Sequence, residues 1–576
     1  MQVRVRSVDE RLVERIAGAL RVRPATARCL VARGVVEPQD AQGFIDPRLA
    51  ALRPPAGLAG LSLAVSRIAD AVIKGERIGV FGDYDVDGIT TAALLTSFLR
   101  LAGAHVECAV ARRDAGYGFT PSAANDFASR GCKLVVTGDC GTSDVDSIRI
   151  ANAAGIDVIV VDHHTVPAAG VAHPALSLVN PFRADSTFPF RGMASVGLGF
   201  YVAASVRTEL RDRGYFRARP EPDVRELLDL VALGTIADLV PLAAENRILT
   251  ALGLRRLQSR TRPGIAALLE SAGVEADKEI DANTIAWKIA PRINAPGRLG
   301  AAEPALSLLL AEGASAFDRA RVLEEANTER RSVQDKVMRA ALAQLGDADP
   351  GPAIVLAGEG WAPGVVGIVA AKLVDKYQRP AFVVGIDPAT GLGRGSARTS
   401  PGVNLYEALA CASRELGPRL DRFGGHAAAA GFTVQREHVA ALAEALQGAV
   451  ATKFAEGSGP VTRSRDVDAE VRLAEVDERL AQELAGLGPF GQENPPPLLV
   501  TRAARVTAVR RVGDGSHLKL TLEDSTQTIR SAIGFKLGER PVEVGAHLDL
   551  AFVPTVSTWQ GRRSAELEVA DLAIVS

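Results

Sequence analysis

The sequence predicts a multidomain α/β protein with a small β domain at its C-terminal end. Three observations carry that expectation. The chain has 576 residues, more than one hydrophobic core organises, because domains run to roughly 100–200 residues. Between about 62 and 240, short apolar runs alternate with helix-patterned segments. Beyond about 498, apolar and polar residues alternate instead.

The elements follow in order. Residues 1–55 read as a helical lead-in ending at Pro54 and Pro55. Residues 56–250 read as a doubly wound α/β domain. RIGVFGDYD, AHVECAVA, KLVVTGDC and DVIVVDHH each place a short apolar run before a polar turn, as strands buried on both faces of a parallel sheet do. TTAALLTSFLRLAG and VDSIRIANAAG supply helices between them. Such a sheet binds ligands at the C-terminal ends of its strands. Residues 251–347 read as a helical connector; its charged end, FDRARVLEEANTERRSVQDKVMRAALAQLG, suits a spacer between lobes and equally a solvated surface helix. Residues 348–455 form a second α/β unit with strands in PAIVLAGEG and RPAFVVGID. EGSGPVTRS is a linker, and GPFGQENPPP is a turn-rich segment within residues 465–576. HLKLTLED and AHLDLAFV there predict a small antiparallel barrel or sandwich.

Composition narrows the class. A net charge of −2 excludes a global basic field. Of the 66 basic residues 56 are Arg, an excess that a GC-rich genome explains for the most part. Five Cys without a C-x-x-C pair argue against a disulfide framework or zinc ribbon. Neither a signal-peptide core nor about 18 uninterrupted apolar residues is seen. The expectation is a soluble, cytoplasmic protein acting as a monomer.

Acidic and histidine clusters fall at the predicted strand ends. Asp83, Asp85 and Asp87 form a D-x-D-x-D array closed by Gly88. Asp139 ends a strand in TGDCGT, and Asp162, His163 and His164 end DVIVV. Asp238 sits in the apolar LVALGTIADLVPL, where an unpaired carboxylate would be costly. Each cluster alone has an ordinary structural explanation. Together, buried like charges demand a neutralising cation. Carboxylates with few imidazoles and no thiolate favour Mn²⁺ or Mg²⁺, and bridging-capable carboxylates favour two ions, the arrangement that activates a water for in-line attack on phosphorus. Neither a P-loop nor a G-x-S-x-G elbow competes.

GDYDVDG, TGDCGT, VDHH and LGTIADLVPL together resemble the DHH phosphoesterase superfamily. ARRDAGYG, RINAPGRLG, GRGSARTSPGVNLYEAL, FGGHAAAAGF and GPFGQENPPP resemble its RecJ branch, the single-strand-specific 5′→3′ DNA exonucleases, from about residue 60 to the C-terminus. The resemblance implies a DHH domain, a DHH-associated substrate-binding domain and an OB-type barrel. It implies two-metal hydrolysis, with metal ligands Asp85, Asp87, Asp139, His163 and Asp238, and with Asp139 bridging both ions. His164 would face the scissile phosphate, as ligand or proton donor. Asp83 and Asp162 are expected to support these ligands. Phe81 departs from the wider superfamily, where many relatives carry a ligand His, so direct ligation by Asp83 is the alternative there.

The same resemblance implies DNA contacts from Arg112, Arg298, Ser396, Arg398 and His426. Arg502, Arg505, Arg510, Arg511, Lys519 and Lys536 could track a backbone across the barrel, with Trp559 or Phe535 stacking on bases. The implied activity is release of 5′-mononucleotides from single-stranded DNA in recombination and repair, on the nucleoid, with a helicase and a single-strand-binding protein as partners and no membrane. The rival readings are a DHH-type oligoribonuclease or cyclic-dinucleotide phosphodiesterase, and a DNA-binding scaffold without activity.

Overall fold

The computed structural model describes residues 2–113, 116, 118–167, 172–346, 349–399, 402–457, 464–559 and 561–575, the side chains of 2, 421, 453–457, 464 and 559 excepted. Tyr117 of ARRDAGYG, most of the EGSGPVTRS linker and the Trp559 side chain therefore lie outside the described residues.

The N-terminal segment, the expected helical lead-in, joins the core of the C-terminal part. It contains β1 (Gln2–Val5), α1 (Glu10–Leu20), α2 (Pro24–Ala32) and α3 (Pro38–Ile45). Val13, Ile16, Ala27 and Leu30 share a buried core with Leu480, Leu499, Leu550 and Phe552 from the other end of the chain. The apolar faces of these helices were legible in the sequence; what covers them was not.

The first lobe runs through α4 (Leu61–Lys74), β2 (Arg77–Gly82), α5 (Val86–Leu101), β3 (His105–Val110), α6 (Pro121–Ser129), β4 (Leu134–Gly138), α7 (Val145–Ala153), β5 (Asp157–Val161) and β6 (Ser177–Val179). The five strands are all parallel, in the order β3-β2-β4-β5-β6. Alternate side chains enter two separate cores: Val80, Val136, Ile159 and Val161 join one, and Phe81, Val135, Val158 and Val160 the other. That division is the doubly wound arrangement the apolar runs predict, and each buried Val or Ile adds about 1.5–3 kcal/mol. The winding direction reverses between β2 and β4. A doubly wound sheet opens its crevice at such a switch point, and the D-x-D-x-D array and Asp139 leave the sheet there.

Helices α8 (Ser195–Asp212), α9 (Leu228–Ala237), α10 (Ala244–Gln258) and α11 (Pro263–Ser271) complete this lobe. The short α12 (Ala282–Thr284) passes through a π turn, Ile285–Ile289, into α13 (Ala290–Leu299), followed by α14 (Glu303–Leu309). Of the expected connector, 251–347, Ile265, Leu268, Ile293 and Leu306 belong to the first lobe's core instead, and the spanning element is α15 (Ser315–Leu345), about 46 Å long at 1.5 Å per residue. Its first half buries Ala316, Ala320 and Leu323 in the first lobe's core. Its second half buries Val337 and Ala341 with Val365 and Val369 of the second lobe. Its charged pattern therefore belongs to a spacer packed at both ends, not to a surface helix.

The second lobe holds β7 (Ile354–Glu359), α16 (Pro363–Tyr377), β8 (Ala381–Ile386), β9 (Leu392–Arg398), α17 (Leu405–Leu416), β10 (Leu420–Gly425), β11 (Ala429–Gln435) and α18 (Val439–Gly457). Its sheet order is β10-β11-β9-β8-β7, with only β7 and β8 parallel. The segment GGHAAAAG forms the β10–β11 hairpin, with Gly425 at φ 130° where a side chain would be strained.

The C-terminal part contains β12 (Ser464–Val467), which pairs in parallel with β1, then β13 (Ala469–Glu470) and α19 (Glu478–Ala485). Strands β14 (Leu499–Val512), β15 (His517–Glu523), β16 (Ile529–Gly534), β17 (His547–Trp559) and β18 (Arg562–Val575) close into a five-stranded barrel through the β14–β17 pairing. Closure leaves no free edge, the device of the OB-type barrel.

Candidate active site

The site is assembled by the C-terminal ends of β2, β4 and β5 and by the ends of α8 and α9. Asp85 caps α5, its carboxylate accepting from Gly88 N at 3.1 Å. Gly88 is required by proximity, because a Cβ there would lie 2.4 Å from Asp83 N. Asp87 is 1% exposed and accepts from Ser195 N at 2.7 Å and Val196 N at 3.0 Å. These are first-turn amides of α8, so its N-terminal dipole favours the anion. Asp139 follows β4 in the left-handed region, φ 63°, with its Oδ1 accepting from Ser195 Oγ at 3.2 Å.

Asp162 orients both histidines. Its Oδ1 accepts from His163 N at 2.8 Å and His164 N at 3.1 Å, and lies 2.7 Å from His164 Nδ1. Thr142 N donates to its other oxygen at 3.1 Å. His163 Nε2 stands 3.3 Å from Asp139 Oδ1 and 3.5 Å from Asp238 Oδ2. Asp238 ends α9, and its Oδ2 is buried without a hydrogen-bond partner among the described residues.

Three sets of ligand atoms thus lie within coordinating reach of one another: Asp87 with His163 and Asp238, Asp83 with Asp85 and Asp139, and Asp139 with His163 and His164. Asp83 enters a donor set itself, closer to the centre than a purely supporting role requires. Sequence reasoning missed Ser195, Val196 and Thr142, which reach the carboxylates mainly through backbone amides that leave no side-chain signature.

Electrostatics shows why this cluster wants a cation. Burial, then the charge of Asp85, pushes Asp83 up to about 8 and Asp87 up to about 7. Burial, then Asp87 and Asp85, pushes Asp238 up to about 9. Asp139 is raised well above the carboxylate range by burial and by four neighbouring carboxylates. Burial lowers His163 to about 4, which keeps its imidazole neutral and able to coordinate. Burial opposes charge on His164 too, but the hydrogen bond and charge of Asp162 outweigh it and raise His164 to about 9. Asp162 itself stays below the usual range, because hydrogen bonds from His164 and Thr142 outweigh its burial. The oxygen-rich donor set, the orphaned Asp238 oxygen and the mutual repulsion fit divalent cations of the Mn²⁺ or Mg²⁺ kind.

A basic cluster lies where the second lobe meets α13. Arg298 Nη1 donates to Gly364 O of α16 at 3.1 Å. Burial, then Arg113, Arg330 and Arg398, lowers Arg298 to about 10, and burial also lowers Arg398. Arg398 Nη1 donates to Ser396 Oγ at 3.1 Å on β9. His426 is exposed in the β10–β11 turn; its N–H bonds Ala429 O at 2.8 Å, and Ala429 pairs with Arg398. Arg112 is exposed and bridges to Ala301. On the barrel, Arg502 pairs with Asp549, Arg505 with Glu523 and Lys519 with Glu566. Each of these three forms an ion pair within the barrel while keeping part of its side chain exposed. Phe535 is 53% exposed and packs edge-on against His517, with ring centroids 5.3 Å apart.

Sequence profiles match the chain in three places: the DHH family N-terminal domain over 77–235, the DHHA1 domain over 350–452 and the RecJ OB domain over 467–571. The fold is thus that of a DHH protein carrying DHHA1 and OB domains. The single-stranded-DNA-specific exonuclease RecJ of Bacillus subtilis is 34% identical over 582 residues, spanning 100% of this chain and 71% of that protein. Its Escherichia coli counterpart is 33% identical over 572 residues, 95% of this chain and 96% of that protein. The crystal structure of Thermus thermophilus RecJ in complex with Mn²⁺ superposes with a TM-score of 0.82 at 30% identity, covering 99% of this chain and 79% of that one. The chain belongs to the RecJ exonuclease family.

Proposed function

We propose that this chain is a divalent-metal-dependent exonuclease that removes 5′-mononucleotides from single-stranded DNA, using two ions. The observation that carries this reading is the pair of donor sets, Asp87–His163–Asp238 and Asp83–Asp85–Asp139, joined by the 3.3 Å approach of Asp139 to His163. Asp85, Asp87, Asp139, His163 and Asp238 would hold the ions, with Asp139 shared, and Asp83 would join them where many relatives of the wider superfamily carry a histidine at the position of Phe81. Bound ions supply a nucleophilic water near neutral pH and offset charge on the phosphate.

The chain's own groups do the rest. Asp162 ties down His164 Nδ1, so the protonated ring presents Nε2–H to the phosphate that joins the terminal nucleotide to the next. There it donates to the departing 3′ oxygen as water adds to phosphorus. Arg298, Ser396 and Arg398, with Arg112 and His426 beside them, hold the terminal 5′ phosphate and place the scissile bond over the carboxylates. The barrel receives the rest of the strand. A helicase and a single-strand-binding protein would supply such strands. Among the described residues no helix is long and apolar enough to cross a membrane.

The test is a substrate panel with the purified chain and Mn²⁺ or Mg²⁺: single-stranded DNA, duplex DNA, a dinucleotide and pyrophosphate. The expected outcome is mononucleotide release from the 5′ end of single strands, abolished by chelation. Hydrolysis confined to the dinucleotide or pyrophosphate would overturn the reading.

A further inference from the structure

The turn-rich segment before the barrel, GPFGQENPPP, has no part in the site described above, yet it touches the loop that follows Asp238. Leu242 N donates to Gln492 O at 2.8 Å. Gly491 packs directly on Leu242, which is 3% exposed; a Cβ on Gly491 would lie 2.8 Å from Leu242 Cδ1 and 3.3 Å from Cγ. The turn behind this contact is firmly anchored. Gly491 and Asn494 exchange backbone hydrogen bonds of 2.9 and 3.1 Å. Buried Asn494 donates to Leu487 O and Pro489 O at 3.0 and 2.8 Å and accepts from Arg33 Nε at 3.1 Å. Arg33 also donates to Pro495 O at 2.8 Å and lies 3.6 Å from Asp468, which accepts from Leu498 N at the start of the barrel.

The loop it touches carries Asp238; buried Asn246 Nδ2 holds its Pro241 O at 2.9 Å from within the first lobe, and the turn adds a second tie at Leu242 from the C-terminal unit. Asp87, Asp139 and Asp85 each accept a hydrogen bond from backbone or Ser195, whereas Asp238 Oδ2 has no such partner among the described residues. The position of Asp238 is therefore set by its backbone. That backbone leaves α9 through Leu239, which is at φ 58° and 73% exposed. Leu242 is the next point at which the loop is buried.

We propose that the Gly491–Asn494 turn is a brace that positions Asp238 for metal binding, so that the seating of the C-terminal unit sets the geometry of the catalytic centre. The inference rests on the reading of Asp238 as a metal ligand. Leu242, Gly491 and the Gln492 carbonyl act through Asp238 and are positioning groups.

Size exchange at the contact tests it in the full-length chain, with Mn²⁺ affinity read by calorimetry and the melting temperature of the metal-free protein read alongside. Gly491→Leu should weaken Mn²⁺ binding at least tenfold, as loss of an outer-shell partner does by about 10–100-fold, with little change in melting temperature. Leu242→Ala should weaken it about threefold to tenfold. Combining the two should restore binding to within about threefold of the parent, because the new side chain fills the space vacated. An Asp238→Asn control separates the outcomes. If Asp238→Asn weakens binding and Gly491→Leu does not, the brace is refuted and the metal reading stands. If Asp238→Asn binds as the parent does, both fall. A double variant as weak as Gly491→Leu alone refutes the Leu242 route. Should Gly491→Leu fail to fold, unchanged affinity in Leu242→Ala overturns the proposal.

Discussion

Asp139→Ala should lower single-strand hydrolysis by about 10⁴-fold or more, which corresponds to about 5 kcal/mol of transition-state stabilisation, while binding to single-stranded DNA changes by less than about threefold. Asp139 lies at the switch point of the sheet, within reach of both donor sets, and Ser195 Oγ aims its Oδ1. On the proposed assignment, removing its carboxylate would take a ligand from both ions at once and leave the proposed strand-binding arginines untouched. Backbone conformation is the confounding factor, since φ 63° suits Asp or Asn better than Ala. Asp139→Asn keeps that preference and the side-chain shape. It should lose activity to a similar degree, and the two variants should differ in melting temperature rather than in rate. Hydrolysis within tenfold of the parent in Asp139→Asn would remove Asp139 from the bridging position.

Arg398→Ala should lower kcat/KM about 100-fold on a single strand carrying a 5′ phosphate, and much less on one ending in a 5′ hydroxyl. The guanidinium is partly buried, held by Ser396 Oγ and the Ala397 carbonyl, and faces the charge of Arg298 rather than a carboxylate. A buried cationic cluster of that kind is relieved by an anion, and charge-assisted hydrogen bonds to phosphate are worth about 1.5–3 kcal/mol each. Arg298→Ala should show the same dependence on the terminal phosphate, with an added loss because it also joins the lobes through Gly364. Steady-state kinetics on the two substrates makes the distinction. Equal losses on both would assign these arginines to the fold instead of to the strand terminus.

Much of this was legible in the sequence, for physical reasons that differ by element. The parallel strands were readable because both faces are buried, which leaves apolar runs such as LVV and DVIVV with little room for other patterns. The carboxylates were readable only together, because several at the ends of buried strands repel unless a cation neutralises them. The environment of each was not. Nothing in the pattern around 195 announced that its amides would hold Asp87, since backbone donors carry no side-chain signature. Nor did it show that Val13 and Ile16 would pack with Phe552, since an amphipathic helix names no partner. The partners of the barrel's basic residues were not legible for a related reason. Arg502 and Arg505 meet Asp549 and Glu523 on neighbouring strands, and Lys519 meets Glu566 two strands away, contacts set by register and not by composition. Gly491 looked like turn punctuation, and only its approach to Leu242 reveals a second constraint.

If this carboxylate–histidine cluster binds two ions, anomalous scattering from crystals soaked in Mn²⁺ will locate both. Two peaks about 3.5–4 Å apart, one among Asp87, His163 and Asp238 and the other among Asp83, Asp85 and Asp139, are the expected result. A single peak outside both sets, or none at saturating Mn²⁺, would contradict it.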